Sequence, residues 1–168
     1  MAYAAIGWSG RHDHESCIAD ALTTAEELCR ARGVRLTALR RRVLELIWGS
    51  HRPIGAYTML SALQGERDTA APPTVYRALD FLMEQGLVHR IQSLNAFVGC
   101  SDPDHAHHGM FLICGACGNA LEIEDRKLDD AIRRAATAHG FALKRRTVEA
   151  TGTCPSCTTS SSSEGQRV

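Results

Sequence analysis

Seven cysteines stand in this chain, and four of them form two Cys-x-x-Cys pairs, Cys114/Cys117 and Cys154/Cys157. Each pair offers two sulfurs from one tight turn, so together they supply the four thiolates that a tetrahedral zinc ion takes. The turns read Cys114-Gly-Ala-Cys117-Gly and Cys154-Pro-Ser-Cys157, with small and turn-forming residues that let the backbone curl around a metal. Disulfides or redox-active dithiols are the competing chemistry. Against them, Cys17, Cys29 and Cys100 leave an odd remainder, and the first residues lack the basic flank and apolar stretch of a secretory signal. Both features point to a reducing, cytoplasmic setting. The 36 residues between Cys117 and Cys154 exceed ordinary ribbon spacing, so a folded insert must separate the pairs.

A second chemistry is carried by arginine. The formal net charge is +0, yet between Arg30 and Arg52 there are Arg30, Arg32, Arg35, Arg40, Arg41, Arg42 and Arg52 against the single Glu45. A phosphate backbone responds to local field, which makes this patch a candidate nucleic-acid contact; a solvated helix face is the plainer alternative. With 168 residues, 44% hydrophobic and 23% charged, the chain suits one large domain or two small ones. No apolar run is long enough to span a bilayer, so no membrane role is expected.

The elements that must position these groups follow from periodicity. Residues 1–15, polar and carrying His12 and His14, read as a flexible arm. Ile18, Leu22, Ala25 and Cys29 recur at helical spacing and predict a helix over 17–31. Thr37 reads as the N-cap of a second helix with Leu39, Val43, Leu46 and Ile47 inward. Residues 51–55 read as a turn and 56–64 as a short third helix. Pro72-Pro73-Thr74 opens a fourth, because proline fits a first helical turn without losing a hydrogen bond. It turns Val75, Leu79 and Leu82 inward and shows Thr74, Tyr76, Arg77 and Asp80 on its other face. Runs at 87–91 and 96–100, joined by Gln92-Ser93-Leu94-Asn95, predict a β-hairpin. Helices followed by such a hairpin make a winged helix-turn-helix, whose later helix enters the major groove.

Beyond Cys100 the pattern changes. Residues 101–109 read as a hinge with His105, His107 and His108. Residues 110–157 read as strand, knuckle, strand, a helix ending at His139-Gly140, a strand over 141–150 and the second knuckle. The Ser-rich stretch 158–168 reads as a disordered tail. The expected architecture is α+β, a winged helix over 16–100 followed by a small α/β dimerisation domain with a four-cysteine zinc site.

The chain resembles the ferric uptake regulator family of metal-dependent DNA-binding repressors, and within it the zinc-responsive members. The residues that carry this are Arg35-Leu-Thr with Arg40, Pro-Pro-Thr-Val-Tyr-Arg-Ala-Leu-Asp-Phe-Leu from Pro72, the two cysteine pairs, and His139-Gly-Phe-Ala-Leu. The resemblance implies a C-terminal half that dimerises through a shared sheet, and a second metal site between the domains. Its ligands by position are His89, Cys100, His107 and Glu122, with His105 and His108 close enough to substitute for His107. One thiolate, two imidazoles and a carboxylate suit zinc, which implies two Zn2+ per subunit, one structural and one regulatory. Gly109-Met110-Phe111-Leu112 holds no ligand where some relatives carry a third site, which speaks against iron or peroxide sensing. Tyr57 matches a base-contacting tyrosine. Arg77 is positioned to read a base, and Thr74, Tyr76, Arg40 and Arg41 to meet the backbone. The implied function is zinc-dependent repression of zinc uptake genes by a homodimer, or pairs of dimers, on operator DNA. An enzyme is the less favoured class, because no phosphate or oxyanion loop accompanies the ligands and four protein ligands leave zinc no open position. A zinc-ribbon interaction module would leave the arginines and Tyr57 without a role.

Overall fold

The computed structural model describes residues 14–50, 52–66, 71–104, 109–144 and 146–161. The expected arm at 1–15 lies almost wholly outside them, as do His105, His107 and His108. Helix α1 spans His14–Ala31 and buries Leu22, Ala25 and Cys29, the positions its periodicity marks. Gly33, at φ 67°, ends it by turning the chain so that the Val34 amide caps the Cys29 carbonyl. Helix α2 (Ala38–Trp48) starts at Thr37, whose hydroxyl accepts from the Arg40 amide at 3.4 Å. Val43 and Ile47 are buried as expected, joined by Leu44 and Trp48, while Leu39 and Leu46 only flank the core.

A two-residue strand β1 (Ile54–Gly55) occupies what the sequence presents as a turn, and α3 (Ala56–Glu66) follows directly. Helix α4 (Pro72–Glu84) begins at the double proline and buries Val75, Leu79 and Leu82. The hairpin strands are β2 (Val88–Ile91) and β3 (Ala96–Gly99), and β1 completes a sheet of order β1-β3-β2. Two residues are too short to show a strand period, so β1 is created by its pairing with Phe97 and Ala96. Gly99 is needed at the contact with α2: a Cβ there would meet the Trp48 indole at 2.4 Å.

The second sheet has order β5-β4-β6, with β4 (Met110–Cys114) central, β5 (Ala120–Ile123) antiparallel to it and β6 (Val148–Gly152) parallel. Helix α5 (Arg126–Ala138) makes the crossover. Asp125 caps it by accepting from the Lys127 and Leu128 amides, and His139 holds the C-cap position before Gly140 at φ 65°. The strand expected over 141–150 is thus shorter and later, because its ladder reaches only as far as β4 does. Helix α6 (Pro155–Ser161) continues from the second knuckle, so the stretch from Thr158 to Ser161 is helical where the sequence reads as tail. The two sheets meet through Ile91, Phe111 and Ile113, which form a small buried cluster of their own. None of the described helices is long and apolar enough to cross a membrane.

Candidate metal centres and nucleic-acid face

Cys114 ends β4, and its knuckle closes with the Gly118 amide donating to the Cys114 carbonyl and the Cys114 amide to the Asn119 carbonyl. Gly118 sits at φ 74°, where a side chain would be strained. The second knuckle is the first turn of α6, with the Cys157 and Thr158 amides on the Cys154 carbonyl. Strand pairing brings the turns together, since the Gly115 amide donates to the Gly152 carbonyl at 2.9 Å. All four sulfurs lie within 4.8 Å of one another, and Cys117 and Cys154 Sγ are 3.9 Å apart. A sulfur tetrahedron with metal–sulfur bonds of about 2.3 Å has edges of about 3.8 Å, whereas a disulfide needs about 2.05 Å. The cluster therefore fits a cation. Its electrostatics agree: the backbone amides of Cys154 and Cys117 pull the Cys114 thiol down to about 6, while hydrogen bonding to Cys154 and burial push Cys157 up to about 12. Packed thiols resist ionising together unless a positive ion joins them.

The second cluster draws on both halves of the chain. His89 comes from β2, buried Cys100 from the end of the wing and Glu122 from β5, with ligand atoms within 4.8 Å of one another. His89 Nε2 stands 2.9 Å from Glu122 Oε1. The other carboxylate oxygen accepts from the Ser101 amide at 3.0 Å and from its hydroxyl at 2.8 Å, which fixes the carboxylate's orientation. Phe111 packs edge-on against the imidazole at 5.6 Å. Gly109 passes so close that a Cβ would meet the Phe111 ring at 2.5 Å and His89 Nδ1 at 3.4 Å. Ser101, Gly109 and Phe111 are the site residues that sequence reasoning missed, and adjacency to Cys100 was the only signal for Ser101. His107 lies outside the described residues. Thiolate, imidazole and carboxylate converging at this spacing form a donor set that zinc accepts.

On the N-terminal domain, Tyr57 is 72% exposed and Tyr76 42%, and Thr74 and Arg77 lie on the same outward face of α4. The arginine cluster differs from its appearance in the sequence. Arg41 pairs with Glu26 and Glu45, and Arg42 with Glu45 and Glu66. Arg40 stacks over Phe81 at 3.5 Å and donates to the Arg35 carbonyl. Glu26 and Glu66 fall just outside the stretch in which only Glu45 opposes the arginines, and folding brings both in. Two of its seven arginines, Arg41 and Arg42, are thus held by carboxylates, which lowers the patch's charge without cancelling it, while α4 and Tyr57 present an open polar face.

Residues 31–151 match the ferric uptake regulator family. The chain is 42% identical over 137 residues to the zinc uptake regulation protein of Escherichia coli K12, covering 81% of this chain and 80% of that one. Among solved structures, a zinc uptake regulator complexed with zinc and DNA superposes with a TM-score of 0.83 at 39% identity, covering 86% of this chain and 97% of that one. A further relative, XcZur, has been solved in two states. The holo form gives a TM-score of 0.77 at 43% identity, over 83% of this chain and 98% of that one; the apo form gives only 0.51 at 40%, over 85% and 99%. The present structure is thus more similar to the holo form of that relative than to its apo form. On sequence and fold alike, the chain belongs to the ferric uptake regulator family.

Proposed function

We propose that this protein is a zinc-responsive transcriptional repressor, not an enzyme, and that it binds operator DNA as a homodimer when the interdomain site is filled. The observation that carries the reading is the convergence of His89 and Cys100 from the winged helix with Glu122 from the second sheet. Bound there, zinc would neutralise the thiolate and carboxylate and tie the two domains together. Ser101 and Phe111 hold the donors in place. His107, two residues before Gly109, is the proposed fourth ligand, and the four cysteines hold a separate structural zinc, making two per subunit. In this reading Arg77 and Tyr57 read bases, while Thr74 and Tyr76 position α4 on the backbone. Arg40 and Arg41 add phosphate contacts, Arg41 only by exchanging Glu26 and Glu45 for DNA. Helix α5 buries none of its own residues, and Leu128 and Phe141 are exposed, which supplies an apolar surface for a second subunit.

The test is to titrate zinc into protein carrying only the four-cysteine metal, while measuring affinity for DNA selected by the zinc-loaded protein from a random pool. Operator binding should rise as a second zinc enters each subunit. Cys100→Ser should keep the fold, the first zinc and the dimer, yet bind that DNA no better with zinc than without. Unchanged zinc-dependent binding in this variant would refute the regulatory site.

A further inference from the structure

Phe111 is in register with Glu122 on β5 and with Glu149 on β6, so Glu122, Phe111 and Glu149 form one row across the second sheet. Residues paired in this way share a face. The wing lies along the row. His89 meets Glu122 and Phe111; Ile91, two residues on and so on the same side of β2, packs with Phe111; then the chain turns. At that turn the Gln92 amide donates to Glu149 Oε1 at 2.6 Å and the Ser93 amide to Oε2 at 3.0 Å. The proposed metal site uses one end of the row, and the other end has no role in it.

We propose that Glu149 is a second, metal-independent latch: by holding the wing turn through the Gln92 and Ser93 amides, it favours the closed domain arrangement and sets how much zinc that closure requires. The second half of this inference rests on the regulatory reading above; the first does not. Each carboxylate oxygen takes one amide, a charge-assisted pair of bonds that fixes both the height and the angle of the turn. Although burial opposes ionisation, the Ser93 hydroxyl and the two amides hold the Glu149 carboxyl below its ordinary range, so the charged form is the one present at neutral pH. Restraint at the His89 end alone would let the wing rock about the Ile91–Phe111 contact. Restraint at both ends removes that freedom. A ligand that binds only the closed arrangement gains in apparent affinity by the closed fraction, and the coupling is reciprocal. Two partly solvated charge-assisted bonds correspond to a change of about five- to tenfold.

The experiment compares full-length protein with Glu149→Ala and Glu149→Gln, carrying only the four-cysteine zinc and no DNA. Amide hydrogen exchange at Gln92 and Ser93 should quicken about fivefold or more in Glu149→Ala and less in Glu149→Gln, while amides of α2 keep their rates. Chelator competition should then show the second zinc held about five- to tenfold more weakly, with the four-cysteine zinc unchanged. Unaltered exchange at Gln92 and Ser93 overturns the latch. Faster exchange with unaltered affinity for the second zinc overturns its coupling to the switch. Wild-type protein that takes up no second zinc would sink the regulatory reading, and exchange would still judge the latch. Should Glu149→Ala fail to fold, the isosteric Glu149→Gln carries both measurements.

Discussion

His89 is half-buried against Phe111, which by itself favours the neutral imidazole. Hydrogen bonds and charge from Cys100 and Glu122 outweigh that burial and push its pKa up to about 9. A metal ligand must be the neutral imidazole, so at pH 7.5 zinc has to displace a proton from His89. Calorimetric zinc titrations in buffers of different ionisation enthalpy should show that release, and affinity should fall as pH is lowered from about 9. A binding enthalpy independent of buffer would contradict it. The sign for stability is the reverse. A raised pKa in the folded state stabilises the protein without regulatory zinc fully below pH about 6.5, and this contribution is lost as pH rises through about 9. At the other centre, structural zinc is worth roughly 10 kcal/mol or more in small zinc peptides. Cys114→Ser should therefore lose that metal and leave β4, β6 and α6 poorly held together. Metal analysis together with thermal unfolding checks this, and a variant with full zinc content and unchanged melting would show the assignment to be wrong.

Among the elements, α4 is the one that the proposed reading assigns to recognition. Its inward stripe of Val75, Leu79 and Leu82 is buried, while Thr74, Tyr76 and Arg77 face outward, with no carboxylate paired to Arg77 among the described residues. Helix α2, with more arginines, has two of them, Arg41 and Arg42, bound to Glu26, Glu45 and Glu66, and Arg40 turned onto Phe81. Arg77→Ala should therefore weaken operator binding by about 1–3 kcal/mol and random DNA by clearly less, as expected for a guanidinium on a base edge. Gel-shift titrations on both DNAs decide the point. Equal losses would give Arg77 a phosphate role instead. The wing is an element built by close approach as much as by hydrogen bonds. Gly99 lets Trp48 lie against β3 and Gly109 lets the chain pass over Phe111 and His89, so neither position has room for a side chain.

At the scale of the whole molecule, the large buried core lies in the N-terminal half, while the helix of the C-terminal unit is left uncovered. No α5 residue is buried, and Phe141 is 65% exposed. A second copy that covers this face would bring two α4 helices into fixed relation, which is what binding a two-fold operator requires. Phe141→Asp should raise the dimer dissociation constant at least tenfold, about 1.4 kcal/mol, without loss of either zinc. Sedimentation equilibrium measures it, and an unchanged constant would move the interface elsewhere.

Local signals in this chain were legible wherever neighbours within a few residues set the outcome. The cysteine spacing specified a four-thiolate site, the Thr37 cap and the double proline placed α2 and α4, and apolar periodicity marked Ala25, Val43 and Leu79 as core. His89, Cys100 and Glu122 were legible only as positions in a family pattern, because nothing near any of them in the chain shows that they meet. Tertiary structure decided that, through the packing of Ile91 on Phe111 and the register of β4. The same register set Glu149 beside Phe111 and shortened β6. Pairing with β3 created β1. Long-range ion pairs with Glu26 and Glu66 took up the charges of Arg41 and Arg42 and so weakened an apparent basic patch. Helix caps and metal knuckles are local because their partners lie within one turn of backbone. Register and charge pairing depend on which surfaces the core brings together, and that was settled only when the chain closed on itself.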